Sequence, residues 1–387
     1  MTITQSTDPA VATERRPYLQ AAAVYLGIRL FGVVVLAVCS AISGQPLSDR
    51  LTAWDGLWYL AIADHGYDGI THGLYDAEGH FAPHTPLAFF PAYPTLMRLL
   101  SPWVGGSLPA GLLLSVAAGI LAAAAIYRIG RTVTGSHRTG VLLVALWAGA
   151  PMAITLSMVY TEALFTALAA WALVGVLERR WLLAALCSIA AGLTRPTASV
   201  LVGVVVIAAL VAFFKGPRRP QPLVAAVAAP VGLVGYWLWV AVQTGSPSGW
   251  FDLEWRGWRT RFDFGAETLE FVGKQLLRGT SVMELLNVFI LVLAAVAAVL
   301  LARSARADPR RWPLALYGIG VVVLVAGTAG IPFAKARFLL PGFTLLLPVA
   351  AGLAARRPAT AIAATAGYVA FGAWFGAYSL VGWRYAI

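Results

Sequence analysis

The run over residues 18–41, YLQAAAVYLGIRLFGVVVLAVCSA, decides the fold class. A helix needs roughly 20 apolar residues to cross a bilayer core, and this run has that length with Arg29 as its one charge. It is too long for a signal-peptide core and reads as a retained spanning helix. Leu36-Ala37-Val38-Cys39 has the outline of a lipoprotein cleavage site, but Val38 is not the small residue such a site needs, so lipidation is not expected. Similar runs recur at about 108–127, 140–159, 162–177, 182–194, 197–214, 223–243, 284–302, 313–330, 338–354 and 359–381, which predicts about eleven spans. Residues 182–214 hold Arg195-Pro196 in their middle and read as one broken helix or two short ones. Residues 86–104 read as a surface helix or a further span.

Composition agrees. With 59% hydrophobic and 12% charged residues, the chain lacks the charged surface of a water-soluble globule. The expected architecture is an all-α polytopic membrane protein, with a cytoplasmic tail over 1–17 and a single integral membrane domain over 18–387. The net charge of +11 suggests nucleic acid until it is sorted by side. Placing Arg15 and Arg16 in the cytoplasm puts 16 Lys/Arg and 4 Asp/Glu on that side, against 11 and 13 on the outer side. That is the positive-inside bias, so Lys215, Arg218, Arg219, Arg303, Arg306, Arg310 and Arg311 read as topology signals and no nucleic-acid partner is expected. The two cysteines, Cys39 and Cys187, lie in apolar runs and read as buried free thiols.

Two outer loops are long, at about 42–107 and 245–283. Both are rich in Trp, Tyr and Phe, which argues against disorder. The first carries His65, His72, His80 and His84, whose spacing suits no metal site, Pro83 opposing a shared helix face for the last two. It also carries Trp54-Asp55-Gly56-Leu57-Trp58-Tyr59, running on to His65-Gly66-Tyr67. Trp54, Trp58, Ala61 and His65 recur at helical spacing, predicting a short helix on the membrane surface with its tryptophans at headgroup level. Asp55 is then the helix N-cap, a salt-bridge partner of Arg50 or Arg29, or a general base beside an apolar wall. Phe89-Phe90-Pro91-Ala92-Tyr93-Pro94 is a corner that also shapes an acceptor groove. Glu162 caps a span or serves as a functional rim carboxylate. Arg195, in a break between apolar helices, pairs with Glu162 or Asp55, or holds a phosphate. Residues 250–264, with Trp255 and Arg256 among them, form an interfacial helix or a lid over a glycolipid headgroup. Lys335 and Arg337 either clamp a lipid phosphate, the arginine by a bidentate fork, or simply anchor the interface. There is no Gly-rich phosphate loop, His-Glu-x-x-His, Cys-x-x-Cys or Gly-x-Ser-x-Gly, and no clear internal repeat.

These blocks resemble the PIG-V family, mannosyltransferases that act on GPI-anchor precursors, and their bacterial relatives. The likeness rests on Trp54-Asp55-Gly56-x-Trp58-Tyr59-x-x-Ile62-Ala63-x-x-Gly66-Tyr67, Phe89-Phe90-Pro91-x-Tyr93-Pro94, Thr161-Glu162-Ala163, Arg195-Pro196 and Arg337-Phe338. Thr161 stands where the family is expected to have serine. The resemblance implies a GT-C glycosyltransferase bundle, a polyprenyl-phosphate-mannose donor, no nucleotide sugar, metal or cofactor, and Asp55 in the place of the catalytic acid. The expected activity is inverting mannosyl transfer to a lipid-linked or cell-envelope acceptor on the outer face. Asp55 is expected as base and Arg337, Lys335 and Arg195 as donor-phosphate ligands. Trp54, Trp58, Tyr59, His65, Tyr93, Glu162, Trp255 and Arg256 are expected around the substrates. The rival readings are a transporter or flippase, which needs ionisable groups at mid-span such as Arg29, and the same fold with another sugar or a protein acceptor.

Overall fold

A computed structural model describes residues 9–70, 73–81, 83–279 and 281–383, so His72 of the first loop lies outside it. The described chain is helical, and its one β feature is an isolated antiparallel bridge between Phe262 and Thr328. In order the helices are α1 (Pro9–Ile42), α2 (Leu47–Leu51), α3 (Asp55–His65), α4 (Ala92–Val104), α5 (Ser107–Thr134), α6 (His137–Ala148), α7 (Glu162–Leu177), α8 (Trp181–Gly192) and α9 (Ala198–Lys215). They continue with α10 (Pro220–Ala228), α11 (Val231–Thr244), α12 (Gly249–Trp258), α13 (Ala266–Arg278), α14 (Val282–Ala307), α15 (Trp312–Gly327), α16 (Lys335–Phe338), α17 (Leu347–Ala354) and α18 (Pro358–Val381). Helix α1 begins at Pro9, so the expected tail is helical from that residue.

Among the described residues seven helices are long and apolar enough to cross a membrane, or eight if the segments Pro332–Phe338 and Phe343–Ala354, bent by 72°, are one broken span. That is fewer than the expected eleven or so; two further apolar helices, α7 and α8, are shorter. Apolar runs at 140–159, 162–177 and 182–194 become helices of 12, 16 and 12 residues. Proline explains two of the stops. It lacks an N–H and disfavours helical geometry in the residue before it. Helix α6 ends at Ala148 ahead of Pro151, and α8 ends at Gly192 ahead of Pro196. Residues 86–104 do not span: a 3-10 turn at Thr85–Ala88 leads into the 13-residue α4.

The broken ends are repaired locally. Arg29, buried in α1, donates from Nη1 to the Ala148 carbonyl (2.8 Å) and from Nε to Ser157 Oγ (3.0 Å). The cation that a transporter would place at mid-span is thus tied to the frayed end of α6. Helix α8 is fixed against α11 by close backbone approach. A Cβ on Gly232 would lie 2.0 Å from the Ile189 carbonyl oxygen, and one on Gly192 would lie 2.4 Å from the Leu233 nitrogen. Small residues at such crossings let helices pack backbone to backbone without the hydrophobic drive that lipid removes. Both cysteines are free and half-buried rather than fully buried.

The two long loops fold onto one another. Phe89 is their shared centre, stacked on Trp58 (5.3 Å, 19°) and meeting Tyr59 and Trp258 edge-on at 5.4 and 5.6 Å. Such rings fill the space between segments and favour offset or edge contacts. The Tyr236 hydroxyl of α11 donates to the Leu87 and Phe89 carbonyls, and the Trp250 indole of α12 donates to the Ala88 carbonyl. Arg259 pairs with Glu78 at 3.0 Å. The chain after α12 then bonds to the end of α15, Ala329 N–H to Arg261 O and Asp263 N–H to Gly327 O. Helix α3, α12 and the residues before α16 are thereby gathered at one end of the bundle.

The α8–α11 crossing gives a matched pair of tests. Gly232→Ala forces a methyl against a backbone carbonyl and is expected to cost about 1–3 kcal/mol. Gly235→Ala, on the same helix with nothing within 4 Å of the new atom, is expected to leave the thermal midpoint of the detergent-solubilised protein unchanged or raised.

Candidate active site

Asp55 opens α3 and is aimed by the residue before it. Trp54 has φ 60° and ψ −116°, a conformation that a side chain rarely adopts, at a cost on the order of 1–3 kcal/mol. Two bonds hold this turn against the segment before α7: Val159 N–H donates to the Leu51 carbonyl and the Tyr160 hydroxyl to the Ala53 carbonyl. Trp54 occupies the cap position, so Asp55 is not the N-cap, and neither Arg50 nor Arg29 pairs with it. Its partner is Arg337, 282 residues away, whose Nη1 donates to Asp55 Oδ2 at 2.5 Å.

Arg337 is the hinge of a larger network. Its Nε lies 3.6 Å from Glu162 Oε1, and the same oxygen pairs with Arg195 Nη1. Arg195 Nη1 also donates to Thr161 Oγ1 at 3.3 Å; threonine supplies here the hydroxyl that serine would. The result is two carboxylates and two guanidiniums, brought from α3, α7, the α8–α9 break and α16. The side chains of Glu162 and Arg337 are 1% and 5% exposed, that of Asp55 28%. The carboxylate at the open end is therefore Asp55, with Glu162 closed in behind. Aromatic rings wall the cations: Arg337 lies over Phe338 (4.7 Å) and Tyr160 (5.2 Å), and Arg195 over Phe338 (5.6 Å). Ionic partners offset the cost of burying these charges only when geometry and hydrogen bonding are good. Here the Nε of Arg337 and the Oε2 of Glu162 are buried without a hydrogen bond, while Glu162 Oε1 is held by its ion pair with Arg195. A guanidinium has five N–H donors, so Arg337 keeps capacity for another anion.

The other expected residues divide. Tyr59 is in the network: burial, then the Asp55 charge, hold its hydroxyl well above the usual tyrosine range, with Thr161 as its hydrogen-bond partner. Trp58 forms the floor beside it through Phe89. Trp54 is 44% exposed at the rim, and Trp255 is half-buried with Arg259 and Arg261 over its ring at 5.5 and 4.2 Å. His65 and Arg256 are exposed and outside the network. Tyr93 is fully buried, its hydroxyl donating to the Gly111 carbonyl and sharing a bond with Ser115, so it is spent on packing. Lys335 also stands apart. Its ammonium donates to the carbonyls of Val325 (2.9 Å) and Thr328 (2.5 Å), capping the end of α15, where unpaired carbonyls favour a cation. The 89–94 corner holds the site from behind, Ala92 N–H donating to the Leu193 carbonyl beside Arg195.

One group was not singled out from the sequence. Glu254 of α12 lies near enough to Asp55 for the two to repel. Its placement was readable only as a spacing: Trp250, Glu254 and Trp258 recur every four residues and share one helix face.

No family model and no curated protein matches the chain. Among solved structures it superposes on ArnT from Cupriavidus metallidurans bound to undecaprenyl phosphate with a TM-score of 0.52 and 14% identity, over 91% of this chain and 69% of that one. It also superposes on the oligosaccharyltransferase of Archaeoglobus fulgidus, in a complex with Zn and sulfate, with a TM-score of 0.50 and 14% identity, over 90% of this chain and about half (52%) of that one. The shared architecture is the GT-C bundle, so the chain is an all-α polytopic membrane protein of that fold.

Removing Glu162 leaves two buried cations with one partner. Glu162→Ala is expected to destabilise by about 3–5 kcal/mol. Asp55→Asn is expected to cost less, because Asp55 is partly open and Arg337 keeps Glu162. Thermal unfolding of both variants in detergent checks the order; equal losses would break the assignment of Glu162 as the central counter-ion.

Proposed function

We propose that this GT-C bundle is an inverting mannosyltransferase of the PIG-V type. It moves mannose from polyprenyl-phosphate-mannose to a hydroxyl of a lipid-linked or cell-envelope acceptor on the outer face of the membrane. The observation that carries the reading is the Asp55–Arg337 pair at 2.5 Å: a half-open carboxylate and a cation with spare donors, side by side at one end of a spanning bundle. A carboxylate alone suits many roles. Joined to a guanidinium that can take a phosphate, it has both groups that glycosyl transfer from a lipid phosphate needs. The solved structure of ArnT, of the same fold, is bound to undecaprenyl phosphate, which supports a donor of that class here.

The chemistry follows from the charges. Before substrate binds, Arg337 pairs with Asp55. A donor phosphate competes for Arg337, since planar N–H pairs fit phosphate oxygens as well as carboxylates. As the cation turns to the phosphate, the Asp55 carboxylate is released to meet the acceptor hydroxyl. The acceptor O–H then gives its proton to Asp55, and the oxygen forms a bond to the anomeric carbon. The bond from that carbon to the phosphate oxygen breaks, its electron pair leaving with polyprenyl phosphate, and the anomeric centre inverts. Arg337, with Arg195 behind it, meets the charge that grows on the leaving phosphate, where fixed cations act most strongly. Glu162 holds the two guanidiniums at their separation. Asp55 ends protonated and is reset when its proton passes to water.

The test is transfer of radiolabelled mannose from polyprenyl-phosphate-mannose into a total lipid extract by the purified protein. Asp55→Asn is expected to lower turnover by about 10²–10⁴ while still binding donor. Near-wild-type turnover in that variant sinks the base assignment. Transfer from another polyprenyl-phosphate sugar alone changes the sugar, and transfer from none sinks the enzyme reading.

A further inference from the structure

We infer that Glu254 recognises the transferred sugar: its carboxyl faces Asp55 across the site from α12 and hydrogen-bonds a sugar hydroxyl. The inference rests on the proposed glycosyl transfer and adds to it a group that reads the sugar rather than the phosphate.

The position follows from the packing of α12. Trp250 and Trp258, four residues to either side of Glu254, are both turned to the 85–90 segment. The Trp250 indole donates to the Ala88 carbonyl at 3.3 Å, and Trp258 lies edge-on to Phe89 at 5.6 Å. On an α-helix a residue midway between two such neighbours lies on the same face. Phe89 is in turn stacked on Trp58 of α3, three residues after Asp55. The face that carries Glu254 is therefore laid over the helix that Asp55 opens. The charged or titratable groups brought against α12 are Asp55 from α3, Tyr236 from α11 and Asp76 of the first loop, which packs at Gly257 with its carboxylate accepting from the Glu78 and His80 N–H groups. The 3-10 turn Thr85–Ala88 offers none. On its own helix, Arg256 is exposed and Asp252 is bonded to Ser246 and Ser248.

Charge balance gives the function. Asp55 and Glu162 are matched by Arg337 and Arg195. Glu254 is a third carboxyl at the same end, and among the described residues no lysine or arginine pairs with it. The residue is partly accessible from the surface, yet desolvation, with the Asp55 charge added, lifts its carboxyl to about 8, a hydrogen bond from Thr260 working the other way. At neutral pH Glu254 thus carries its proton. A neutral carboxyl both donates and accepts a hydrogen bond, which matches a sugar hydroxyl. It brings no second negative charge to a site that must admit an anionic phosphate, and an ionised glutamate there would oppose the donor. Above about pH 8 the proton is lost, the donated bond disappears and the new charge repels the phosphate.

The experiment compares two ligands on the full chain in detergent. Binding of polyprenyl-phosphate-mannose and of undecaprenyl phosphate is followed by tryptophan fluorescence for wild type, Glu254→Ala and Glu254→Gln, from about pH 6 to about pH 9. Glu254→Ala is expected to weaken the mannosyl ligand about 3- to 10-fold, as for loss of one neutral hydrogen bond, and to leave undecaprenyl phosphate unchanged at neutral pH. Glu254→Gln, which keeps a neutral donor, is expected to hold near-wild-type affinity for the mannosyl ligand and to lose the alkaline weakening that wild type shows. Unchanged mannosyl affinity in Glu254→Ala, equal weakening of both ligands, or an alkaline fall that survives in Glu254→Gln each overturns the role. If wild type binds neither ligand, the proposed transfer itself has failed and the inference falls with it; a fault confined to the Glu254 variants overturns this inference alone.

Discussion

The ion network of Asp55, Arg337, Glu162 and Arg195 is the constraint on which the rest of this end of the molecule depends. Four charges buried beside apolar helices are costly unless each finds a partner. The partners come from opposite ends of the chain, Asp55 and Arg337 being 282 residues apart. Correct docking of α3, α7, the α8–α9 break and α16 is thus required together: a shift in any one of them leaves a buried charge unpaired. The network also sets polarity within the site. Glu162 is sealed and structural in character, Asp55 is half-open, and Arg337 stands between them with donors to spare.

The loops and the bundle answer to this constraint in different ways. Within the bundle, breaks and short helices put the charged residues at helix ends, where unpaired backbone groups need polar neighbours in any case. Arg29 and Lys335 show the same economy, each spent on carbonyls released where a helix stops. The loops work by aromatic packing. Phe89 gathers Trp58, Tyr59 and Trp258 about itself, and hydrogen bonds from Tyr236 and Trp250 fix the backbone on which it sits. A carboxylate against such a wall is partly desolvated, which raises its sensitivity to every nearby charge.

The aromatic cover also separates two kinds of carboxyl. Asp55 is matched by a cation, Arg337. Among the described residues no lysine or arginine pairs with Glu254, and burial lifts its carboxyl. The two acids thus stand in opposite electrostatic environments, one paired with a cation and one not.

Much of this was legible in the sequence, and the division has a physical basis. Long apolar runs fixed the membrane class, because burying backbone in lipid leaves a chain little choice but helices. The Trp54–Tyr59 block marked a short helix and its carboxylate, and Arg195-Pro196 marked a real break. Hydropathy registered the apolar runs without registering that helices within them stop ahead of prolines 151 and 196. Pairing was beyond it altogether. Nothing local to Asp55 says that its partner is Arg337 rather than Arg50 or Arg29, that Lys335 caps a helix while its neighbour two residues on joins the site, or that Tyr93 is consumed by packing. Those choices depend on which loop lies over which helix end. They are made by contacts between residues far apart in the chain, and only the tertiary structure decides them.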